Sequence, residues 1–201
     1  MSEYARWEGR FAAPEYIFGT APNVFLAASK DLLPPRGRAL AIADGEGRNG
    51  VWVAEQGLDV LSIDFSPAAQ AKALALAQAR GVKLATALVD IAQYDWPPAA
   101  FDVIIDIFTQ FSGPAERAAK FVGIRRSLKP GGLLLLQGYR PEQIGYGTGG
   151  PKCAENMYTR ALLEQEFADF KNVRIHEYDV EMHEGSAHDG MAAVIDLVGW
   201  K

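Results

Sequence analysis

Cysteine and long apolar runs are both scarce in this sequence. Cys153 is the single cysteine, so no intramolecular disulfide can form, and such thiol poverty fits a reducing compartment. No run approaches the roughly 18 apolar residues of a membrane-spanning helix. The N-terminal segment has neither the positive charge nor the apolar stretch of a signal peptide. We therefore expect a cytoplasmic protein with no membrane partner.

Positive charge is also in short supply. The chain has 20 basic against 25 acidic residues, a net charge of −5. Nucleic-acid-binding surfaces usually need a basic face, so we expect a small-molecule substrate and no nucleic-acid partner. Because 201 residues can bury a sizeable core, neither a disulfide nor a metal is needed for folding. We predict a single domain over 1–201, with an N-terminal helical cover over 1–35 and an α/β core over 36–201. The oligomeric state stays open, with a monomer slightly favoured.

Short apolar runs alternate with helical stretches from Arg38 onward. The runs predict seven strands: 39–43, 59–63, 82–89, 101–108, 133–138, 173–180 and 191–200. Helices are predicted over 50–56, 67–80, 114–127 and 158–167. This alternation indicates an α/β, doubly wound, mostly parallel sheet with helices on both faces. The last two strands have no helix between them, which favours an antiparallel pair at one edge.

The first strand runs into a glycine-rich loop, Ala43-Asp44-Gly45-Glu46-Gly47. Alternate glycines let the backbone turn sharply and approach a ligand, and the following helix directs its N-terminal N–H groups to the same place. Asp64 ends the second strand, where a carboxylate can accept hydrogen bonds from ribose hydroxyls. Asp90 follows the third strand and could reach an adenine edge. The pattern favours a nucleoside cofactor over a glycine turn that serves packing alone.

Two cofactor classes fit this loop. Gly50 completes a G-x-G-x-x-G pattern with Gly45 and Gly47, as in dinucleotide-binding proteins. The antiparallel C-terminal pair and Asp90 favour S-adenosylmethionine instead.

The chain resembles class I S-adenosylmethionine-dependent methyltransferases, and is most similar to the small tellurite-resistance-type methyltransferases. The segments that carry the resemblance span nearly the whole chain and are Trp7–Phe11, Glu15–Asn23, Gly45–Asn49, Asp64, Leu128–Gly132, Thr148–Pro151, Glu184-Gly185 and His188–Gly190. Two positions depart from the family pattern: Ala43 replaces the first glycine, and Ala41 stands where an acid often precedes the loop. Alanine is tolerated at the first of these positions if its φ is negative.

The resemblance implies a Rossmann-like methyltransferase fold with strand order 3-2-1-4-5-7-6 and S-adenosyl-L-methionine as the cofactor. It implies that Ala43, Asp44, Gly45 and Gly47 contact the methionine moiety. By the same resemblance, the remaining cofactor contacts are Asp64 at the ribose, Phe65 beside the adenine, Asp90 with Ile91 at the adenine amino edge, and Ile107 with Phe108 at the methyl-transfer corner.

Methyl transfer from a sulfonium requires mainly alignment and desolvation, and a base only if the acceptor arrives protonated. Gln110, Tyr139 and His188 are the candidate catalytic residues. Gln110 could bind a substrate or only satisfy loop backbone, and His188 could be a base or a surface-turn histidine. His183, Glu184 and His188 lack the spacing of a zinc motif, so we expect no metal.

The stretch 139–157 shows no periodicity and is glycine-rich. It follows the fifth strand, so we interpret it as a substrate lid, with a flexible linker as the alternative. Gly149, Gly150 and Lys152 would bind an anionic acceptor, together with Phe108.

The sequence thus predicts methyl transfer from S-adenosylmethionine to a small soft nucleophile, such as a thiol or a chalcogen oxyanion. The alternatives are a non-catalytic S-adenosylmethionine-binding protein and a nicotinamide-dependent oxidoreductase.

Overall fold

The computed structural model describes residues 2–201, which form a seven-stranded sheet in the order β3-β2-β1-β4-β5-β7-β6. The strands are β1 (Arg38–Ile42), β2 (Asp59–Asp64), β3 (Ala85–Leu88), β4 (Phe101–Ile107), β5 (Leu128–Tyr139), β6 (Lys171–His183) and β7 (Asp189–Trp200). The predicted fold class and strand order are confirmed. β1 pairs with β2, β2 with β3 and β4 with β5 in parallel, whereas β7 is antiparallel to both β5 and β6.

Helices connect most of the strands. They are α1 (Glu3–Phe11), α2 (Val24–Ala28), α3 (Arg48–Glu55), α4 (Pro67–Ala79), α5 (Pro114–Ser127), α6 (Gln143–Tyr146) and α7 (Arg160–Glu166). Their starts follow local chemistry: the Ser66 hydroxyl accepts from the Ala69 amide at 3.1 Å, and Pro67 takes the first position of α4. Over residues 2–201, no helix combines the length and the apolar character that crossing a membrane requires.

The chain divides into two compact units. The first contains the residues up to Tyr94 together with Glu184–Ala187, and the second contains Asp95–His183 and His188–Lys201. The tip of the β6–β7 hairpin therefore belongs to the first unit, while its two strands belong to the second. In the second unit, the buried apolar runs of β4 and β5 form much of the core, as expected of strands covered on both faces.

The structure differs from the sequence interpretation at several element ends. β4 ends at Ile107, because Phe108 has a φ of 55° and leaves the strand conformation. β5 begins at Leu128 and not at residue 133, and residues 129–132 form a bulge inside it, since Phe101 pairs with Leu128 and Val103 with Leu133. The stretch 139–157 is not free of regular structure, because it contains α6.

Candidate active site

The glycine loop of the first unit connects β1 to α3. Gly45 and Gly47 have φ of 58° and 86°, the left-handed conformation that glycine adopts without strain. A Cβ on Gly47 would lie 2.5 Å from the Cβ of Ala73, so close packing also requires glycine there. Ala43 has a φ of 44°, so the negative φ that would suit alanine is not observed. This residue holds backbone strain at the start of the loop.

Asp44 fixes the loop to its surroundings through its carboxylate. The carboxylate accepts hydrogen bonds from the Gly50 amide at 3.1 and 3.2 Å and from the Ser62 hydroxyl at 2.9 Å. Burial raises the pKa of Asp44 to about 7, although the hydrogen bonds from Ser62 and Gly50 oppose the shift. The first turn of α3 and the middle of β2 are thus joined through one acidic side chain.

Asp64 is buried at the end of β2, where the sequence predicts the ribose-binding acid. Its two oxygens accept from the Gly45 amide at 2.9 Å and the Ser66 amide at 2.8 Å. Burial raises the pKa of Asp64, against the effect of these backbone hydrogen bonds. The Phe65 amide is a third backbone donor to this carboxylate, which has about four lone-pair positions, so one acceptor position is left for a ligand.

The predicted adenine-binding residues take different positions. Phe65 is half-buried, and its ring lies 5.8 Å from that of Tyr4 on α1. Asp90 is exposed and caps its own 3-10 turn by accepting from the Ala92 amide at 2.9 Å, with Ile91 half-buried in that turn.

An aromatic cluster from the N-terminal segment covers the glycine loop. A Cβ on Gly45 would lie 3.3 Å from the Phe11 ring, so the phenyl group packs directly on the loop. Phe11 stacks on Trp7 with ring centroids 5.4 Å apart, and Trp7 lies 6.2 Å from Phe18. The Arg10 guanidinium lies 4.6 Å from the Trp7 ring centroid, within cation–π range.

A buried ion pair joins the glycine-loop helix to the hairpin tip within the first unit. The Arg48 guanidinium donates to Glu184 at 2.7 Å, and both side chains are only 7% exposed. Glu184 also accepts from the Asn23 side-chain amide at 3.2 Å and from the Val24 amide at 3.0 Å. These residues come from distant segments of the resemblance, and the structure shows that they form one hydrogen-bonded network. We call Arg48, Glu184 and Asn23 the clasp.

In the second unit, three predicted site residues share an aromatic cluster. Phe108 lies 4.6 Å from Tyr139 and 4.7 Å from His188, measured between ring centroids, and the imidazole meets the phenyl ring edge-on. Met157 and Met182 belong to the same buried apolar cluster. Ile107 precedes this cluster as the last residue of β4. The arrangement offers a largely apolar, polarisable surface with one imidazole.

Both polar atoms of the Gln110 side chain form hydrogen bonds with the protein backbone. Its side-chain N–H donates to the Tyr139 carbonyl at 2.8 Å, and its side-chain oxygen accepts from the Tyr139 amide at 2.5 Å. Of the two interpretations open from sequence, the structure favours backbone support over substrate binding. Gln110 therefore fixes the backbone of Tyr139, whose ring belongs to the aromatic cluster.

The predicted lid is anchored through Gln143. This buried amide donates to Thr148 at 3.0 Å and to the Gly149 carbonyl at 3.2 Å, and it accepts from the Ala193 amide at 2.8 Å. A Cβ on Gly150 would lie 2.9 Å from the Tyr139 ring, so this glycine lies against the aromatic cluster. Lys152 is exposed. The structure thus links the glycines of the loop to Tyr139 but leaves Lys152 on the surface.

Lys120 is buried, although charged side chains on a helix usually line a solvated face. Its ammonium group lies 2.8 Å from Asp106 and donates to the Tyr158 hydroxyl at 2.9 Å and to Thr109. Burial alone lowers the pKa of an ammonium, but the charges of Asp106 and Tyr158 leave the pKa of Lys120 above its usual value. A helical pattern cannot reveal such a partner, because Asp106 comes from a strand.

Residues 39–132 match the family model described as a methyltransferase domain. The match runs from β1 to the bulge in β5 and includes the glycine loop, Asp64 and Asp90. It confirms the predicted methyltransferase class. A comparison with curated proteins found no match.

Solved structures share this fold at low sequence identity. A protein studied for the conversion of a disulfide bond into a thioacetal group during echinomycin biosynthesis has a TM-score of 0.73 and 18% identity, over 98% of this chain and 88% of its own. Phosphoethanolamine N-methyltransferase 2 from Haemonchus contortus, in complex with S-adenosyl-L-methionine, has a TM-score of 0.72 and 19% identity. The match covers 96% of this chain and 57% of the other. TehB from Haemophilus influenzae has a TM-score of 0.69 and 17% identity, and the match covers 88% of this chain and 61% of TehB. These likenesses confirm the predicted Rossmann-like fold.

Proposed function

We propose that this chain binds S-adenosylmethionine and transfers its methyl group to a small molecule with a soft nucleophilic atom, such as a thiol or a chalcogen oxyanion. The observation that carries the proposal is Asp64. It is a buried carboxylate at the carboxyl end of β2, bonded to the amide of Gly45 in a glycine loop that precedes a helix. This is the arrangement that recognises a ribose beside a glycine loop.

The first unit would hold the cofactor. In this proposal Ala43, Asp44, Gly45 and Gly47 contact the methionine end. The remaining contacts are Asp64 at the ribose, Phe65 beside the adenine, and Asp90 with Ile91 at the adenine amino edge. The packing of the Phe11 ring on Gly45 supports a role of the N-terminal segment beside the cofactor.

The second unit would receive the acceptor against Ile107, Phe108, Tyr139 and His188. An apolar surface removes water from the nucleophile, which strengthens its reactivity toward a methyl sulfonium. His188 would remove the proton from an acceptor that arrives as a thiol or an acid. The sequence resemblance to tellurite-resistance-type methyltransferases is what favours a chalcogen oxyanion as the acceptor. The proposal includes a cytoplasmic, single-domain protein that acts on neither nucleic acids nor membranes.

Calorimetry with S-adenosylhomocysteine tests the cofactor assignment. Asp64→Ala should weaken binding about a hundredfold or more, because each hydrogen bond to a carboxylate contributes about 1.5–3 kcal/mol. Asp59→Ala is the matched control, since Asp59 lies at the opposite end of the same strand and is exposed. Equal affinities of the wild type and both variants would remove Asp64 from the site.

A screen of thiols and chalcogen oxyanions, read out as S-adenosylhomocysteine formation, tests the reaction. Turnover with any of them excludes the non-catalytic alternative, and a parallel titration with nicotinamide dinucleotides tests the oxidoreductase alternative. With an anionic acceptor, Lys152→Ala should raise KM by about five- to a hundredfold and leave cofactor affinity unchanged, as expected for one charge-assisted hydrogen bond. An unchanged KM would remove Lys152 from the acceptor site.

A further inference from the structure

The last strand, β7, extends beyond its neighbour β5. The pairing of β5 with β7 ends at Tyr139 and Val194, so residues 189–193 of β7 continue past the end of β5. The segment that follows β5 covers this part of β7, and the Gln143 side-chain oxygen accepts from the Ala193 amide at 2.8 Å. A side chain thus takes the place of a neighbouring strand in bonding a buried backbone group.

The same Gln143 side chain holds a short turn of the predicted lid, residues 147–150, which we call the arch. Its N–H groups donate to the Thr148 hydroxyl at 3.0 Å and to the Gly149 carbonyl at 3.2 Å. The Thr148 hydroxyl in turn donates to the Met191 carbonyl of β7. Gln143 is 1% exposed, and its amide group therefore connects the strand to the arch in the protein interior.

The arch lies against the Tyr139 ring. A Cβ on Gly150 would lie 2.9 Å from Tyr139 Cδ2 and 3.2 Å from Gln143 Cγ. Gly149 and Gly150 have φ of 129° and 80°, so the turn and the close approach both require glycine. Gln110 already fixes the backbone of Tyr139. Two buried glutamines therefore define the position of Tyr139, one through its backbone and the other through the arch beside its ring.

Apolar burial contributes little to the attachment of this segment. Ile144 and Tyr146, the large apolar side chains of α6, are 51% and 39% exposed. Segments with few buried apolar contacts open at a low free-energy cost, so the position of the arch depends on its hydrogen bonds. Without the Gln143 amide, the Ala193 amide and the Gly149 carbonyl would have to bond to water instead.

We propose that Gln143 is a positioning residue for the acceptor: its side-chain amide holds the arch against the Tyr139 ring and so fixes one wall of the acceptor site. The inference rests on the proposed function, in which the acceptor lies against Tyr139. When the amide is absent, the arch separates from β7 and the acceptor site opens to water. The acceptor then binds more weakly, whereas the cofactor site of the first unit is unchanged.

Limited proteolysis of the full chain by chymotrypsin tests the attachment of the arch. Cleavage after Tyr146, directly before the arch, requires local opening of this segment. Gln143→Met should speed this cleavage about tenfold, because it removes two donors and one acceptor. Glu142→Gln is the matched control at the exposed neighbouring position and should cleave as wild type does, with cleavage after Tyr4 as the internal reference. Equal cleavage after Tyr146 in wild type and Gln143→Met would overturn the inference.

Steady-state kinetics with thiophenol and with selenite, one thiol and one chalcogen oxyanion, test the effect on the acceptor. Gln143→Met should raise the acceptor KM about tenfold and change kcat less, because binding and not the chemical step depends on the arch. By calorimetry, the Kd of S-adenosylhomocysteine should stay unchanged. Thr148→Val, which removes the hydroxyl between the amide and Met191, should raise KM by a smaller factor, and it decides the test if Gln143→Met does not fold.

The outcomes separate the inference from the proposed function. An unchanged KM in both variants would refute the inference alone. An equal loss of cofactor affinity would also refute it, because Gln143 would then support the fold in general. Absence of turnover of either probe by the wild type would contradict the proposed function, and the cleavage rates would still decide whether Gln143 holds the arch.

Discussion

Asp44 and Asp106 are two acidic side chains with different hydrogen-bond and charge partners. Asp106, in the second unit, is fully buried and lies 2.8 Å from the Lys120 ammonium. Asp44, in the first unit, is held by an amide and a hydroxyl, with its pKa raised to about 7 by burial. Where the chain supplies the counter-ion, the acid is part of the structure. Where it supplies only neutral donors, nothing of opposite charge is bonded to the acid, and burial raises its pKa.

The largest expected effect comes from breaking the ion pair between Lys120 and Asp106. Lys120→Met should lower the free energy of unfolding by about 3–5 kcal/mol, because it leaves Asp106 buried without its counter-ion. The combined variant with Asp106→Leu should recover much of the loss, since the uncompensated charge is gone. Urea unfolding of the two variants measures both values. A loss below about 1 kcal/mol for Lys120→Met would mean that the pair is not a structural element.

Asp44→Asn tests how the raised pKa of Asp44 affects the stability of the ligand-free protein at different pH values. A folded-state pKa of about 7 against an ordinary 3.8 means that the folded chain holds this proton more tightly. Its stabilising contribution is complete below about pH 4 and is lost as the pH rises through 7. Between these limits, wild type should lose up to about 4 kcal/mol relative to Asp44→Asn. Parallel curves of unfolding free energy against pH would contradict the assignment.

Asp196 offers an intermediate case in the second unit. Its carboxylate accepts from Gln137 at 2.6 Å, and burial raises its pKa to about 6 despite hydrogen bonds from Gln137 and Tyr178. By the same sign argument, wild type should lose up to about 3 kcal/mol relative to Asp196→Asn as the pH rises from about 4 through 6. Thermal unfolding across this range measures the difference. If the stability difference between wild type and Asp196→Asn instead levelled off only near pH 7, the value expected for Asp44, the two carboxyl groups would not titrate separately.

The smallest expected effect concerns the backbone beside Asp44. Ala43→Gly should stabilise the protein by about 0.5–1 kcal/mol, because glycine adopts the positive φ without strain. Ala41→Gly is the matched control: it lies within β1, so the same substitution should destabilise by a similar amount. Chemical denaturation distinguishes the two signs. A loss of stability in both variants would show that Ala43 is not strained.

The sequence could predict the strands and the glycine loop because both depend on local signals, whereas the strand order followed from the family resemblance. Apolar runs mark the strands, and Gly45, Gly47 and Asp64 stand at fixed positions relative to them. Element ends were less accurate: β4 stops before Phe108 because of a positive φ that no periodicity encodes.

The side-chain networks could not be predicted, because they join residues far apart in the chain. Lys120 belongs to a helix whose charged residues would ordinarily face solvent, yet it pairs in the core with Asp106 from a strand. The clasp likewise joins Asn23, Arg48 and Glu184. Their motifs were visible in the resemblance, but nothing in the spacing showed that they meet.

The clasp has a consequence for the order in which the chain is made. Arg48 leaves the ribosome long before Glu184, the carboxylate that neutralises it in the folded protein. Until residues 184–187 have been synthesised, the first unit lacks a segment that completes it, although its other residues end at Tyr94. A nascent chain must therefore keep this guanidinium hydrated or paired elsewhere during translation. The first unit, although most of its residues are synthesised first, is complete only after residues 184–187 have been added.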